Sequence, residues 1–290
     1  MKKRKIILLI FLIILILGTI LLVINKDKII NYYQNKNLCI FDSKDNLKNQ
    51  VPVIMYHYIA DYGTDVSKLD DGTIISADAF EEQMKYLYDN GYKSLTLTEY
   101  IEWKKGKDIG EKRFMITFDD GFTSTYNLAE PILKKYGFTG VQFVINELLA
   151  DKTPTFEEQR YAYMGYDYIE NYSRETIEIG SHSYEMHHQL PKIYAKVNGM
   201  TYDEIYNDIT KSKEELNATC ISYPYGAYTE DLLKAVKDAG YECGFALNGT
   251  KTYQKEDIYA SSRISATENF EIFKKIFETD KYERKVCKLF

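Results

Sequence analysis

From residue 51 onward the sequence alternates between short apolar runs and amphipathic stretches of helical period. The apolar runs are VPVIMYHYI, RFMITFD, VQFVI, TIEIG, CISYPYG and CGFAL. Between them, SADAFEEQMKYLYDNG places Phe80, Met84, Leu87 and Tyr88 on one helical face and stops at Gly91. Thr98, after the strand candidate SLTL, is the expected N-cap of EYIEWKKG. Further helices are expected over residues 124 to 136, over Tyr202 to Leu216, and in TEDLLKAVKDAG and NFEIFKKIFE. Strands that alternate with helices run parallel, because each helix carries the chain back to the same end of the sheet. About seven such repeats, without a Gly-rich nucleotide fingerprint, favour an irregular (β/α) barrel over an open doubly wound sheet. In a barrel of this kind, chemistry collects at the C-terminal strand ends. Four places qualify: His57, the end of MITFDDG, the histidines of GSHSYEMHH, and SYPYG. The polar, aromatic stretch between residues 147 and 175 breaks the rhythm and is expected to hold a helix or a lid loop.

Ahead of the alternation, Lys2, Lys3, Arg4 and Lys5 precede an uncharged run from Ile6 to Ile24. That run approaches the roughly 20 residues a helix needs to cross a bilayer. Asn25, Lys26, Asp27 and Lys28 follow directly, without a small-residue cleavage site. The expectation is an uncleaved anchor: residues 1–25 form a cytoplasmic basic tip and a transmembrane helix, residues 26–50 an extracellular tether, and residues 51–290 the working domain. This is a single-pass protein of the cell membrane with its domain outside. A net charge of −6 argues against a nucleic-acid partner. The 27 tyrosines are compatible with sugar-stacking surfaces and equally with compositional bias. Four cysteines, Cys39, Cys220, Cys243 and Cys287, are too scattered for a zinc–cysteine site. They allow three pairings, among them Cys220–Cys243 as a structural bridge.

Asp119 and Asp120 stand side by side at the end of an apolar strand, followed by Gly121. Adjacent carboxylates repel, so they suit either a solvated turn or a place where a cation relieves the repulsion. His182 and His187 with one of these aspartates make a two-histidine, one-carboxylate set. Three protein ligands with an open position are the pattern of a catalytic metal rather than a structural one. His188 neighbours His187 and is expected to point elsewhere.

TFDDG (117–121), HSYEMH (182–187) and YPYG (223–226) together resemble the NodB-homology polysaccharide deacetylases, carbohydrate esterase family 4. The resemblance spans residues 51 to 265 or so. It implies a metal-dependent enzyme that removes acetyl groups from N-acetylglucosamine units, on the irregular barrel already expected. Matched position by position, it implies Asp119 as general base, Asp120, His182 and His187 as ligands of one divalent metal, with zinc the expected ion, and the Tyr225 backbone N–H as an oxyanion donor. Three departures stand out. The two histidines are five apart rather than four. Ser222 replaces an arginine usual in the family, leaving Arg263 as a candidate to orient the base. No histidine follows His188 to supply the usual C-terminal acid. His57, early in the chain, resembles the acid of a circularly permuted branch that deacetylates poly-β-1,6-N-acetylglucosamine in biofilms, whereas read without the resemblance it is a satisfied core histidine. That branch implies an N-acetylglucosamine polysaccharide as partner, and a membrane polysaccharide synthase as neighbour. Peptidoglycan N-acetylglucosamine or N-acetylmuramic acid is the rival substrate. A non-catalytic carbohydrate-binding protein is the rival class, and it predicts damage among Asp119, Asp120, His182 and His187, all of which are present.

Overall fold

The computed structural model describes residues 49–69, 72–154, 161–171, 173–189 and 195–278. The expected anchor and nearly all of the expected tether, with Cys39 and Cys287, lie outside the described residues. Among the described residues, no helix is long and apolar enough to cross a membrane.

Eight strands build the main sheet: β1 (Val53–Tyr56), β2 (Lys93–Ser94), β3 (Arg113–Phe118), β4 (Gly140–Val144), β5 (Ile177–Ser181), β6 (Cys220–Ser222), β7 (Cys243–Phe245) and β8 (Ile264–Ser265). Their order is β7-β6-β5-β4-β3-β1-β8, with β2 paired to the start of β3, and every pairing is parallel. The helices are α1 (Ala77–Asp89), α2 (Leu97–Lys104), α3 (Glu130–Tyr136), α4 (Tyr166–Asn171), α5 (Tyr202–Leu216), α6 (Glu230–Asp238) and α7 (Phe270–Glu278).

The sheet curls into a half-barrel, and strand parity sorts its side chains onto two faces. On the outer face Ile54, Ile116, Phe118, Ile179 and Ile221 pack beneath the apolar stripes of the helices, including Phe80, Met84 and Leu87 of α1. On the inner face Val53, Met115, Val141, Phe143 and Phe245 pack on one another, and Tyr100 and Trp103 of α2 cap that cluster. The expected barrel of about seven strands is present as this curled sheet, without a full closing ladder. β7 and β8 are only three and two residues long, too short for one. The segment that carries β8 bridges the gap instead. Ser261 donates to Gly244 O (3.0 Å) and accepts from Ala246 N (2.9 Å), while Ile264 and Ser265 pair with Ile54 and Met55.

Local signals explain most element ends. α5 opens on a capping box between Thr201 and Glu204 and closes on Asn217 in the left-handed region. α3 ends on Gly137 at φ 68°, as expected, but its first turn is wider, a π-type turn over Thr125–Ala129. Pro131 lacks an N–H, so the regular ladder cannot run through that point. Two expectations need correction. The N-cap of α2 is Thr96, not Thr98, because Glu99 stands three residues on and completes a capping box with Thr96. Tyr88 is 58% exposed rather than part of the buried stripe of α1. Cys220 and Cys243 are register partners on β6 and β7 and form a disulfide.

Candidate active site

All four strand ends singled out in the sequence converge at one end of the half-barrel. β1 and β3 run in parallel register with Tyr56 opposite Phe118, so His57 and Asp119 leave the sheet side by side, and Asp119 N–H donates to Tyr56 O (2.9 Å). Asp119 continues the inward parity of Met115 and Thr117 and is 2% exposed. The chain then turns sharply: Asp120 has φ 75° and Gly121 φ 90°. A left-handed conformation at a non-glycine residue costs energy and persists where its surroundings over-determine it. On β5, Gly180 makes room for the Phe143 ring of β4, which a Cβ there would meet at 2.5 Å.

Asp119 is gripped rather than merely buried. Arg263, fully buried just before β8, donates from Nη1 to Oδ1 (2.7 Å) and from Nη2 to Oδ2 (2.8 Å). The same guanidinium reaches Ser222 Oγ (2.7 Å), Thr117 Oγ1 (3.2 Å) and Ala246 O (3.3 Å), and Ser222 Oγ donates onward to Asp119 Oδ2 (3.1 Å). Burial by itself would raise the Asp119 carboxyl. The charges of Arg263 and His182 and the Arg263 hydrogen bonds outweigh it and hold the group well below the usual carboxylate range. Asp120, without such a cation, is pushed upward, chiefly by burial.

His182 Nδ1 lies 2.8 Å from Ser222 O. A carbonyl can only accept, so Nδ1 carries a proton, and in the neutral ring this tautomer leaves the Nε2 lone pair free. That Nε2 is 3.7 Å from Asp119 Oδ2 and 3.6 Å from Asp120 Oδ1, and His187 Nε2 is also 3.6 Å from Asp120 Oδ1. Burial first, then repulsion from His182, pushes His187 down to about 3, so its ring is neutral and able to ligate. Asp120 Oδ1 is a buried oxygen with no hydrogen-bond partner. One ligand atom each from Asp120, His182 and His187 lie within 4.8 Å of one another. An orphaned carboxylate oxygen facing two lone-pair nitrogens fits a divalent cation of the zinc class.

The five-residue spacing of the histidines is carried by an irregular loop. Asp208 of α5 pins it, accepting from Tyr184 N–H at Oδ1 (2.9 Å) and from Glu185 N–H at Oδ2 (2.9 Å). The sequence reading overlooked Asp208. Its signal was a carboxylate on the buried stripe of α5, between Ile205 and Ser212. His188 turns away to Glu147 (Nε2–Oε1 2.8 Å), and Met186 is fully buried. Tyr225 lies over His187, ring centroids 4.5 Å apart, in a Pro-Tyr-Gly turn where its φ is 59°. His57 is partly exposed and near enough for its charge to act on Asp119, Asp120 and His187. His57, Asp119, Asp120, His182, His187, Tyr225 and Arg263 are thus together at this end of the sheet.

Comparison with known proteins agrees with this geometry. Residues 106–244 match the sequence profile of the polysaccharide deacetylases. YxkH of Bacillus subtilis, whose name is that of a polysaccharide deacetylase, is 30% identical over 222 residues, 74% of this chain and 71% of its own. A poly-β-1,6-N-acetyl-D-glucosamine N-deacetylase of Staphylococcus aureus is 27% identical over 284 residues, covering 91% of this chain and 93% of that one. The structure of IcaB from Ammonifex degensii superimposes with a TM-score of 0.65 at 21% identity, over 79% of this chain and 95% of that one, a likeness of fold. A curled parallel sheet with an Asp-Asp-Gly turn and a two-histidine loop at its C-terminal end, in a chain with these relatives, identifies a member of the polysaccharide deacetylase family, a hydrolase of N-acetyl amide bonds.

Proposed function

We propose that this deacetylase is a metal-dependent, membrane-anchored enzyme that removes N-acetyl groups from a cell-surface polysaccharide, poly-β-1,6-N-acetylglucosamine. The observation that carries the substrate is His57. It precedes the aspartate pair in sequence and stands beside it on the neighbouring strand, while no histidine follows His188. The Staphylococcus aureus relatives that align over nine-tenths of the chain are named for that polymer, which supports the same reading.

In this reading Asp120, His182 and His187 hold one divalent cation, for which zinc suits the ligand set. Bound there, such an ion supplies Lewis acidity toward water and the acetamide carbonyl. Asp119, kept ionised by Arg263, takes a proton from the attacking water. Ser222 holds two parts of the machinery at once, since its carbonyl fixes the His182 tautomer and its hydroxyl bonds Asp119. The Tyr225 backbone N–H donates to the oxygen that turns anionic as the carbonyl becomes tetrahedral. His57 gives its proton to the nitrogen, because an amide anion is too basic to leave. The C–N bond breaks, acetate departs and a free amine stays on the sugar. Much of that amine is protonated near neutral pH, so the polymer gains positive charge.

Residues 1–25 serve as the anchor and residues 26–50 as the tether that sets the domain outside the cell. A membrane synthase of the same polymer is the expected neighbour. The test is acetate release by the purified chain supplied with zinc, from β-1,6-linked N-acetylglucosamine oligomers and from peptidoglycan fragments, with Asp119→Asn as blank. Release from the oligomers alone supports the proposal. Release from peptidoglycan alone replaces the substrate, and silence on both with zinc bound favours a binding role. Cell fractionation of chains with and without residues 1–25 tests the anchor, which fails if both partition alike.

A further inference from the structure

The tyrosine-rich stretch after residue 147 has no part in the chemistry above, yet the fold brings it to the mouth of the site. Residues 161–164 lie antiparallel to the chain just beyond the aspartate pair. Met164 N–H donates to Gly121 O (2.9 Å), Thr123 N–H donates to Ala162 O (2.9 Å), and Tyr163 is in register with Phe122. Strand parity then sorts the four side chains. Ala162 and Met164 are fully buried, whereas Tyr163 is half-buried and Tyr161 is 52% exposed.

The outward pair joins a continuous row of rings. Tyr161 stacks on Tyr58 with centroids 4.4 Å apart and planes 23° apart. Tyr58 meets Phe122 edge-on at 5.5 Å, and Phe122 stacks on Tyr163 at 4.8 Å. The two middle rings of the row are thus the residue after His57 and the residue two beyond Asp120. At its inner end Tyr163 is half-buried and in register with Phe122, two residues beyond Asp120. At its outer end Tyr161 has one face covered by Tyr58 while half of the residue remains open to solvent.

An exposed aromatic face beside a reactive site points to a ligand rather than to the core. A pyranose suits it, because the C–H face of the sugar lies flat on an aromatic ring while the equatorial hydroxyls stay in water. We infer that this row forms a sugar-stacking shelf that holds the polymer units flanking the one being deacetylated. Tyr161 is the outer platform, Phe122 and Tyr163 are the inner one, and the buried Tyr58 is the ring that backs Tyr161. The ligand rests on the deacetylase reading, and the placement rests on the backbone ladder between residues 121–123 and 162–164.

The experiment is calorimetric titration of the full chain and of its Tyr161→Ala and Tyr161→Phe variants with a β-1,6-linked N-acetylglucosamine hexamer and with the monomer, with acetate release followed in parallel. Tyr161 is exposed, so its replacement leaves the core intact. The expected result is a weakening of hexamer binding on the order of tenfold in Tyr161→Ala. The effect should be smaller for the monomer and restored in Tyr161→Phe, with the kinetic loss falling on KM. Equal hexamer binding by Tyr161→Ala and the unaltered chain overturns the shelf while leaving the deacetylase reading to its own acetate measurement. No hexamer binding by the unaltered chain also overturns it. Tyr161-dependent binding without acetate release keeps the shelf and sinks the proposed activity.

Discussion

Arg263 holds both carboxylate oxygens of Asp119, at 2.7 and 2.8 Å, from a segment 144 residues further along the chain. It does so because the Ser261–Ser265 segment bridges the two edges of the curled sheet and delivers the guanidinium into the inner face. The usual family arginine would come from the position of Ser222. Here Ser222 instead links the pair, accepting from Arg263 and donating to Asp119.

Arg263→Ala should leave Asp119 buried without its cation. Breaking a buried ion pair on one side costs about 3–5 kcal/mol, read as a fall in the unfolding midpoint. The acid limb of the pH–rate profile should also move. The folded-state pKa of Asp119 is depressed, so its contribution to stability is present above the unfolded value of about 3.9 and is lost as pH falls through the folded value. Without Arg263 the burial that raises the group is less opposed, and the acid limb shifts to higher pH. Arg263→Lys keeps charge but not the two-pronged grip, so it should recover only part of both losses. An unmoved acid limb in Arg263→Ala would separate Asp119 from the base role.

Removing the ion should lower stability, because a ligand that binds only the folded chain adds RT ln(1 + [L]/Kd). Dialysis against a chelator should reduce the melting temperature, and zinc should restore it. Asp120→Ala should abolish the zinc response, since it deletes the orphaned Oδ1 that faces both histidines. A zinc-dependent melting shift of full size in Asp120→Ala would exclude this triad.

Asp208→Ala leaves the backbone N–H groups of Tyr184 and Glu185 without their acceptor. Each unsatisfied buried donor costs about 1–3 kcal/mol, and loss of groups that orient ligands typically weakens metal binding roughly 10–100-fold. Zinc affinity measured by competition with a chromophoric chelator should fall in that range. Asp208→Asn retains one acceptor and should fall between. A variant that binds zinc as tightly as the parent would show that the loop holds its shape unaided.

Reduction of Cys220–Cys243 opens a loop set by a sequence separation of 23. The chain-entropy relation puts the loss at about 3 kcal/mol or slightly more. Cys220→Ser with Cys243→Ser should show this as a lower denaturant midpoint. The bridge spans two inner-face positions packed in the apolar cluster with Phe143 and Phe245, so an equal loss in zinc affinity would contradict the geometry.

The period of the sequence was enough to place His57, Asp119, His182 and Tyr225 at one end of a parallel sheet. Alternating strands and helices force a common strand direction, and a strand's last residue is local information. The aspartate pair and the histidine loop were legible for the same reason, as residue types that match a metal's needs at short range. The cap of α2 was misplaced at Thr98, although Glu99, three residues after Thr96, is the local signal for Thr96. What the chain order could not reveal was which distant groups meet. Asp119 finds Arg263, the histidine loop finds Asp208, and Tyr161 finds Tyr58, each across a long stretch of chain. Such partners are chosen by how the sheet curls and where its edges approach, and a property of the folded backbone has no local signature in the residues that exploit it.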